Sequence, residues 1–386
     1  MEFELSLDQK GLSKDFEEFS RRFLAPIASE CDENQEFIPW DIWKRMASLG
    51  YCGLPISREF GGAGLGALDT CICMEAAGRG GAAAGHLLSW AVSMCLASIP
   101  IMKFGTREQK EHYLPEIARG ELICSFCLTE PDAGSDAGGM RTRAVRDGNY
   151  YVLNGSKAFI TNGPIGDLFL VFAVTDPDKG PKGISAFLIE KDFPGFKRGK
   201  KLDKMGMRSS PTGDLIFNDC LVPAANLLGA EGDGFKKIAH RTLEWERANF
   251  SFFIGVMEYN LRQSIQYARE RIQFKRPISD FQAVRHMLAE MKIELDAARL
   301  MYYRIAWMID KNLVPAPVEA SSAKIFLARA MKKNADYAVQ IHGANGMMKE
   351  YSVERSLRDY KLLEIGGGTA QIQLDIIARE LLGTGR

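Results

Sequence analysis

Residues 80–102 contain no Asp, Glu, Lys or Arg. A helix of that length cannot face water on any side, so it must either cross a membrane or pack inside protein. His86, several serines and Pro100 interrupt its apolarity, and glycines and alanines open it. These features favour a buried core helix over a membrane span. A buried helix needs other elements to cover it. In the preceding segment Leu12, Phe16, Phe19, Phe23 and Leu24 recur at helical spacing. Pro26, Pro39 and Pro55 break the segments, and the glycine-rich residues 51–66 read as a loop.

Near Leu122 the period changes. Residues 150–153 followed by Asn154-Gly155 give a hairpin signal. Residues 168–174 and 184–189 are apolar β-type runs, and 215–217 and 221–222 are shorter ones. From Phe235 the helical pattern returns. Residues 235–271 are apolar on most sides and read as one long buried helix, followed by helical patterns over 281–311 and 318–342. The expected fold class is α+β, mainly α, with a helical domain (1–122), a β domain (123–234) and a second helical domain (235–386).

Lys+Arg and Asp+Glu both total 49, so no net charge attracts nucleic acid or an anionic membrane. The N-terminus shows no basic apolar leader, which makes the cytoplasm the default location. The 8 cysteines of so long a chain are not a secreted disulfide framework. Cys124 and Cys127 form a C-x-x-C without a second pair or a nearby His. They lie in a strand-like run where i and i+3 face opposite sides, and read as buried structural residues.

Four stretches carry chemistry. In residues 364–373, EIGGGTAQIQ, three glycines run into an amphipathic helix, a setting that leaves N–H groups free for an anion or a polar ring. Residues 126–136, FCLTEPDAGSD, read as a strand end, a Glu-Pro break and a polar turn. Residues 241–250, RTLEWERANF, place carboxylates in a mostly apolar helix, which is unfavourable without a task or a partner. Arg271 is suited to binding a pyrophosphate.

These stretches resemble the acyl-CoA dehydrogenase family. Gly368, Thr369 and Gln371 match its Gly-Thr-x-Gln/Glu, residues 126–136 its T-E-P-x-A-G-S-D, and residues 159–162 its Trp-Ile-Thr-Asn with Phe159 in place of Trp. Arg271, Phe274 and Gln282 match its R-x-x-F-G and Gln positions, with Lys275 replacing the Gly. Residues 340–346 match Q-x-x-G-G-x-G, with Ala344 at a usual Gly. The similarity covers essentially the whole chain. It implies an N-terminal α domain, a middle β-barrel-like domain and a C-terminal four-helix bundle.

The resemblance further implies FAD held by Phe126, Leu128, Thr129, Gly134, Ser135, Phe159, Ile160, Thr161, Thr369 and Gln371. Arg271, Phe274, Gln282, Gln340, Gly343 and Ala344 would serve the dinucleotide of a neighbouring subunit, in a homotetramer or dimer. Ser135, Lys182, Arg247, Gly367 and Gly368 would meet the substrate. Many members carry the catalytic glutamate where this chain has Gly367. The isovaleryl and long-chain branches, to which the resemblance is closest, take it from an earlier helix, and Glu246-Arg247 matches that place. Glu246 is then the expected base and Glu244 structural. The implied reaction converts an acyl-CoA to its trans-2-enoyl-CoA and passes electrons to an electron-transfer flavoprotein. Three alternatives stay open: a dehydrogenase of a carrier-protein-bound acyl or aminoacyl thioester, an enoyl-CoA reductase running backwards, and a non-catalytic flavoprotein scaffold. The basic run 197–204 reads as a solvated face, or as an attraction for CoA phosphates or an acidic partner.

Overall fold

The structure, a computed structural model, describes residues 4–313 and 317–384; for residues 244–248 it describes the backbone only. The chain opens with helices α1 (Leu7–Phe19), α2 (Ala28–Asn34), α3 (Trp40–Ser48), α4 (Ala67–Arg79), α5 (Ala84–Ala91), α6 (Ser98–Phe104) and α7 (Arg107–Ala118). Ser6 and Gln9 form a reciprocal cap at the start of α1, and Thr106 and Gln109 do the same for α7. The uncharged run is buried at every residue from Gly80 to Ile101. It is not a single α-helix. A π-helical turn, Val92–Leu96, separates α5 from α6.

The β domain contains β1 (Cys124–Cys127), β2 (Arg143–Asp147), β3 (Tyr150–Thr161), β4 (Leu168–Val174), β5 (Ile184–Glu190), β6 (Phe196–Lys201), β7 (Thr212–Pro223) and β8 (Leu227–Leu228). They form one sheet in the order β6-β7-β3-β2-β4-β5-β8, with β1 parallel beside β4. β4 is apolar on both faces because both are covered. Leu168, Leu170 and Phe172 pack with Cys124 against α6 and α7. Phe169, Val171 and Ala173 pack with Cys127 against β6 and β7. The two cysteines thus occupy opposite faces, both buried and both free thiols.

Three sequence expectations are corrected here. Asn154-Gly155 is not a hairpin turn. β3 runs through it with a bulge, and the turn to β2 lies at Gly148, φ 57°. The Asn154 side chain bonds Asp219 on β7 in both directions, at 3.0 and 2.9 Å, which holds the bulge flat in the sheet. Residues 215–217 and 221–222 belong to one strand, β7. The basic run includes an edge strand, β6, whose lysines and arginine face solvent as edge strands favour. Lys204, at the run's end, is not solvated. Its Nζ donates to Ser210 and Thr212, and burial pushes its pKa down to about 8.

The last domain contains α8 (His240–Asn249), α9 (Phe252–Glu270), a small hairpin β9 (Ile272–Gln273) and β10 (Arg276–Pro277), α10 (Gln282–Asp310), α11 (Pro317–His342), α12 (Val353–Asp359), α13 (Lys361–Ile365) and α14 (Ala370–Leu382). The long helix expected over 235–271 is in fact three pieces: a π-helical turn (Gly234–Ala239), α8 and α9. The Ser251 hydroxyl donates to the Cys71 carbonyl at 2.8 Å, tying the break between α8 and α9 to α4. Just beyond, α4 and α9 touch backbone to backbone. A Cβ on Gly255 would stand 1.9 Å from the Glu75 carbonyl oxygen, and one on Gly78 2.2 Å from that of Phe252. No larger residue fits at that crossing.

Candidate active site

The polar turn after β1 is built on a buried charge pair. Lys157 on β3 is fully buried, and its Nζ donates to the Glu130 carboxylate at 2.7 Å and to the Leu128 carbonyl at 3.2 Å. Glu130 also accepts the backbone N–H groups of Arg141 and Thr142, at 2.7 and 3.0 Å. Burial raises the pKa of Glu130, but the Lys157 ammonium and these donors outweigh it and hold the carboxyl below its ordinary value. The pair fixes both ends of the turn. Gly134 and Ser135 are left exposed at its tip, Thr129 half-buried, and the Phe126 ring packs tilted against Phe172 at 5.1 Å. The loop bearing Lys182, Pro177–Gly183, lies against the next segment of that turn, where Pro181 meets Gly138.

Phe159 sits where the β3–β7 register slips, between Lys157 and Ile160. Its φ is 58°, a conformation that a bulky residue adopts only under constraint, and its ring is 67% exposed. Its N–H donates to Asp214 at 3.3 Å. Its ring stands exposed between buried Ala158 and Ile160 on the same strand. Ile160 points into the sheet core and can offer only its main chain, while Thr161 is half-buried.

A second group converges elsewhere. Arg271, Gly343 and Ala344 line one cavity of about 250 Å³ together with Tyr267, Gln273 and His342. Tyr267 and His342 stack at 4.4 Å, and Asn345 donates to the Tyr267 hydroxyl at 3.0 Å. Gln282 and Gln340 are exposed nearby on α10 and α11. Phe274 and Lys275 form the tip of the β9–β10 hairpin, both left-handed at φ 50° and 67°, and Phe274 is 87% exposed. Among the described residues, no hydrogen bond, ion pair or ring contact joins this group to the turn after β1 or to Phe159.

The glycine loop spans Gly366, Gly367 and Gly368 between α13 and α14. Gly367 and Gly368 are left-handed, φ 61° and 88°. Thr369 caps α14, its hydroxyl accepting from the Ile372 N–H at 3.3 Å, and Gln371 is exposed. Lys324 on α11 is 2% exposed, and its Nζ donates to the carbonyls of Gly366, Gly367 (3.0 Å) and Gly368. Gln373 adds a bond to the Gly367 carbonyl at 3.1 Å. The N–H groups of Gly367, Gly368, Thr369 and Ala370 have no acceptor among the described residues. α11 also packs on α8, the helix that carries Glu246 and Arg247. The side chains of Glu246 and Arg247 lie outside the described residues.

Sequence reasoning missed Lys324, Lys157, Tyr267 and His342. For the two lysines, the available signal was a lone basic residue in an apolar helix or strand pattern.

The residues fit a dinucleotide cofactor. A Cβ on Gly134 or Gly343 would meet nothing within 4 Å, so both leave room for a ligand. The exposed ring of Phe159, the cavity beside Arg271 and the free N–H row supply a plane, a cation and donors.

Three domain models match: acyl-CoA dehydrogenase N-terminal (residues 6–121), middle (125–220) and C-terminal (232–382) domains. The short-chain-specific acyl-CoA dehydrogenase of Clostridium acetobutylicum is 41% identical over 99% of this chain and 100% of its own. The acryloyl-CoA reductase (NADH) of Anaerotignum propionicum is 41% identical over 99% and 96%. The solved prolyl acyl carrier protein oxidase AnaB superposes with a TM-score of 0.94 at 38% identity, over 98% and 100%. The chain belongs to the acyl-CoA dehydrogenase family, whose members are FAD-dependent oxidoreductases.

Proposed function

We propose that this chain catalyses α,β-dehydrogenation of an acyl-CoA thioester to the trans-2-enoyl thioester and passes the electrons to an electron-transfer flavoprotein. The observation that carries the reading is the row of N–H groups at the start of α14 without an acceptor among the described residues, on a helix packed against α11, which also packs on α8, the helix bearing Glu246. An α-proton of a thioester is too weakly acidic for a plain carboxylate unless the developing oxyanion is met by positioned donors. Gly367 and Gly368 supply them. Glu246 takes the proton, since position 367 holds no carboxylate. Bound FAD supplies the acceptor for the hydride that leaves the β-carbon.

The other residues hold the partners of this step. Thr129, Ser135 and the main chain at Ile160 and Thr161 bond the polar edge of the ring system, and Phe159 covers it. Ser135, Lys182 and Arg247 meet the thioester and its carrier group. The cavity with Arg271, Gly343 and Ala344 takes the dinucleotide of a neighbouring subunit, with Gln282, Gln340 and Phe274 at its margin, so the working unit is a homo-oligomer.

A second reading, a carrier-protein-bound acyl or aminoacyl thioester, is favoured by Trp245-Glu246-Arg247-Ala248, a run similar to that of prolyl-carrier dehydrogenases. Anaerobic mixing of the yellow protein with acyl-CoAs and with acyl-carrier proteins separates the two. Bleaching of the bound flavin by acyl-CoAs supports the first reading. Bleaching by carrier-bound substrates alone supports the second, and bleaching by neither overturns both.

A further inference from the structure

Lys324 is a buried cation on a face of α11 shared with Ala320, Ser321, Leu327 and Ala328. Such a group is unfavourable in a core unless its donors are met. An ammonium has three N–H donors, and three successive main-chain carbonyls stand around it.

A trans peptide is planar, so its C=O and the following N–H point in opposite directions. Carbonyls 366, 367 and 368 turned toward Lys324 therefore turn the N–H groups of Gly367, Gly368 and Thr369 away from it. Those are groups without an acceptor among the described residues. The arrangement requires left-handed backbone at Gly367 and Gly368. At Gly368 a Cβ would also strike the Gln373 amide at 2.6 Å. Gln373 braces the middle carbonyl from the other side. Lys324, the glycines and Gln373 thus make one device with its carbonyls inward and its N–H groups outward. The fixed positive charge behind the peptides polarises them in the direction that strengthens those donors.

We propose that Lys324 is a positioning residue of the active centre, which orders the glycine loop into a donor row for the oxyanion of an acyl thioester. This rests on the reading of the chain as an acyl-thioester dehydrogenase.

The test uses the FAD-loaded protein and acetoacetyl-CoA, a 3-oxoacyl thioester that binds as its enolate without being oxidised. Its ionisation is followed by absorbance against pH in the parent, K324M, K324Q and K324R. The parent should ionise the bound probe well below its pKa in water. K324M and K324Q should retain FAD and bind the probe, but hold about 10- to 100-fold less enolate at a given pH, less than the roughly 100- to 1,000-fold that deletion of a whole oxyanion donor costs. K324R should recover part of the effect.

Equal ionisation in the parent and the neutral variants would overturn the role of Lys324. So would loss of folding in both neutral variants while K324R matches the parent, which would mark a structural brace only. If the parent neither binds nor ionises the probe, the thioester reading itself fails, a result distinct from either.

Discussion

Lys157 and Lys324 are two buried lysines that shape two loops by different means. Lys157 meets a carboxylate, and that carboxylate in turn gathers two N–H groups from the far side of its turn. The described bonds of Lys324 go to three carbonyls of one short loop. The first arrangement consumes N–H donors to hold a turn shut; in the second, three carbonyls turn toward the lysine and the N–H groups that follow them keep no acceptor among the described residues. A buried lysine can thus hold a turn by gathering N–H groups through a carboxylate, or orient a loop by gathering its carbonyls.

The largest expected effect comes from breaking the first arrangement. Lys157→Met leaves Glu130 buried without its cation, and removing one partner of a buried pair costs about 3–5 kcal/mol. Chemical denaturation should show that loss together with weaker FAD retention. A loss below about 1 kcal/mol would mean the pair is not the brace described here.

His86 sharpens the comparison, because it is a basic group that is completely buried and meets no carboxylate at salt-bridge distance among the described residues. Burial first, then the Arg355 charge, push its pKa down to about 4, with the Glu36 main chain and Asp32 pulling weakly the other way. The folded state refuses a proton that the unfolded chain accepts at an ordinary histidine pKa of about 6.5. The stability contributed by neutral His86 is therefore complete above about pH 6.5. It falls as the pH drops toward 4, by an amount on the order of 3 kcal/mol. His86→Phe should flatten that part of the profile of stability against pH. An unchanged slope would show that other groups cause it.

The smallest effect concerns a strained tip. Lys275→Gly removes a side chain from left-handed backbone at φ 67° and should change stability by at most about 1 kcal/mol, in the stabilising direction. A melting temperature that falls instead would show that the lysine makes a compensating contact.

The order of helices, strands and helices was legible because hydrophobic period follows secondary structure directly, as in β4, α10 and α11. β6 was not, because an edge strand can be written in lysine and glycine. The Asn154-Gly155 signal misled because the same dipeptide that closes hairpins also fits a bulge when a partner such as Asp219 takes its side chain. The motif stretches were legible as loops near helices. Their support was hidden, since Lys324 and Lys157 acquire meaning only when residues 42 to 44 and 27 to 29 positions away fold against them. The residues around Arg271 and Gly343 were legible only as separate motifs, because nothing in a linear sequence says which distant residues line one cavity.

The central claim, that a carboxylate on α8 starts the reaction at the donor row of the glycine loop, meets its most direct test in single-turnover kinetics. FAD-loaded parent, Glu246→Gln and Glu244→Gln would be mixed anaerobically with an acyl-CoA that bleaches the parent. Glu246→Gln should bind FAD and substrate but reduce its flavin about 100- to 10,000-fold more slowly, the range for a lost general base. Glu244→Gln should stay close to the parent. Reduction of Glu246→Gln at the parent's rate would contradict the claim.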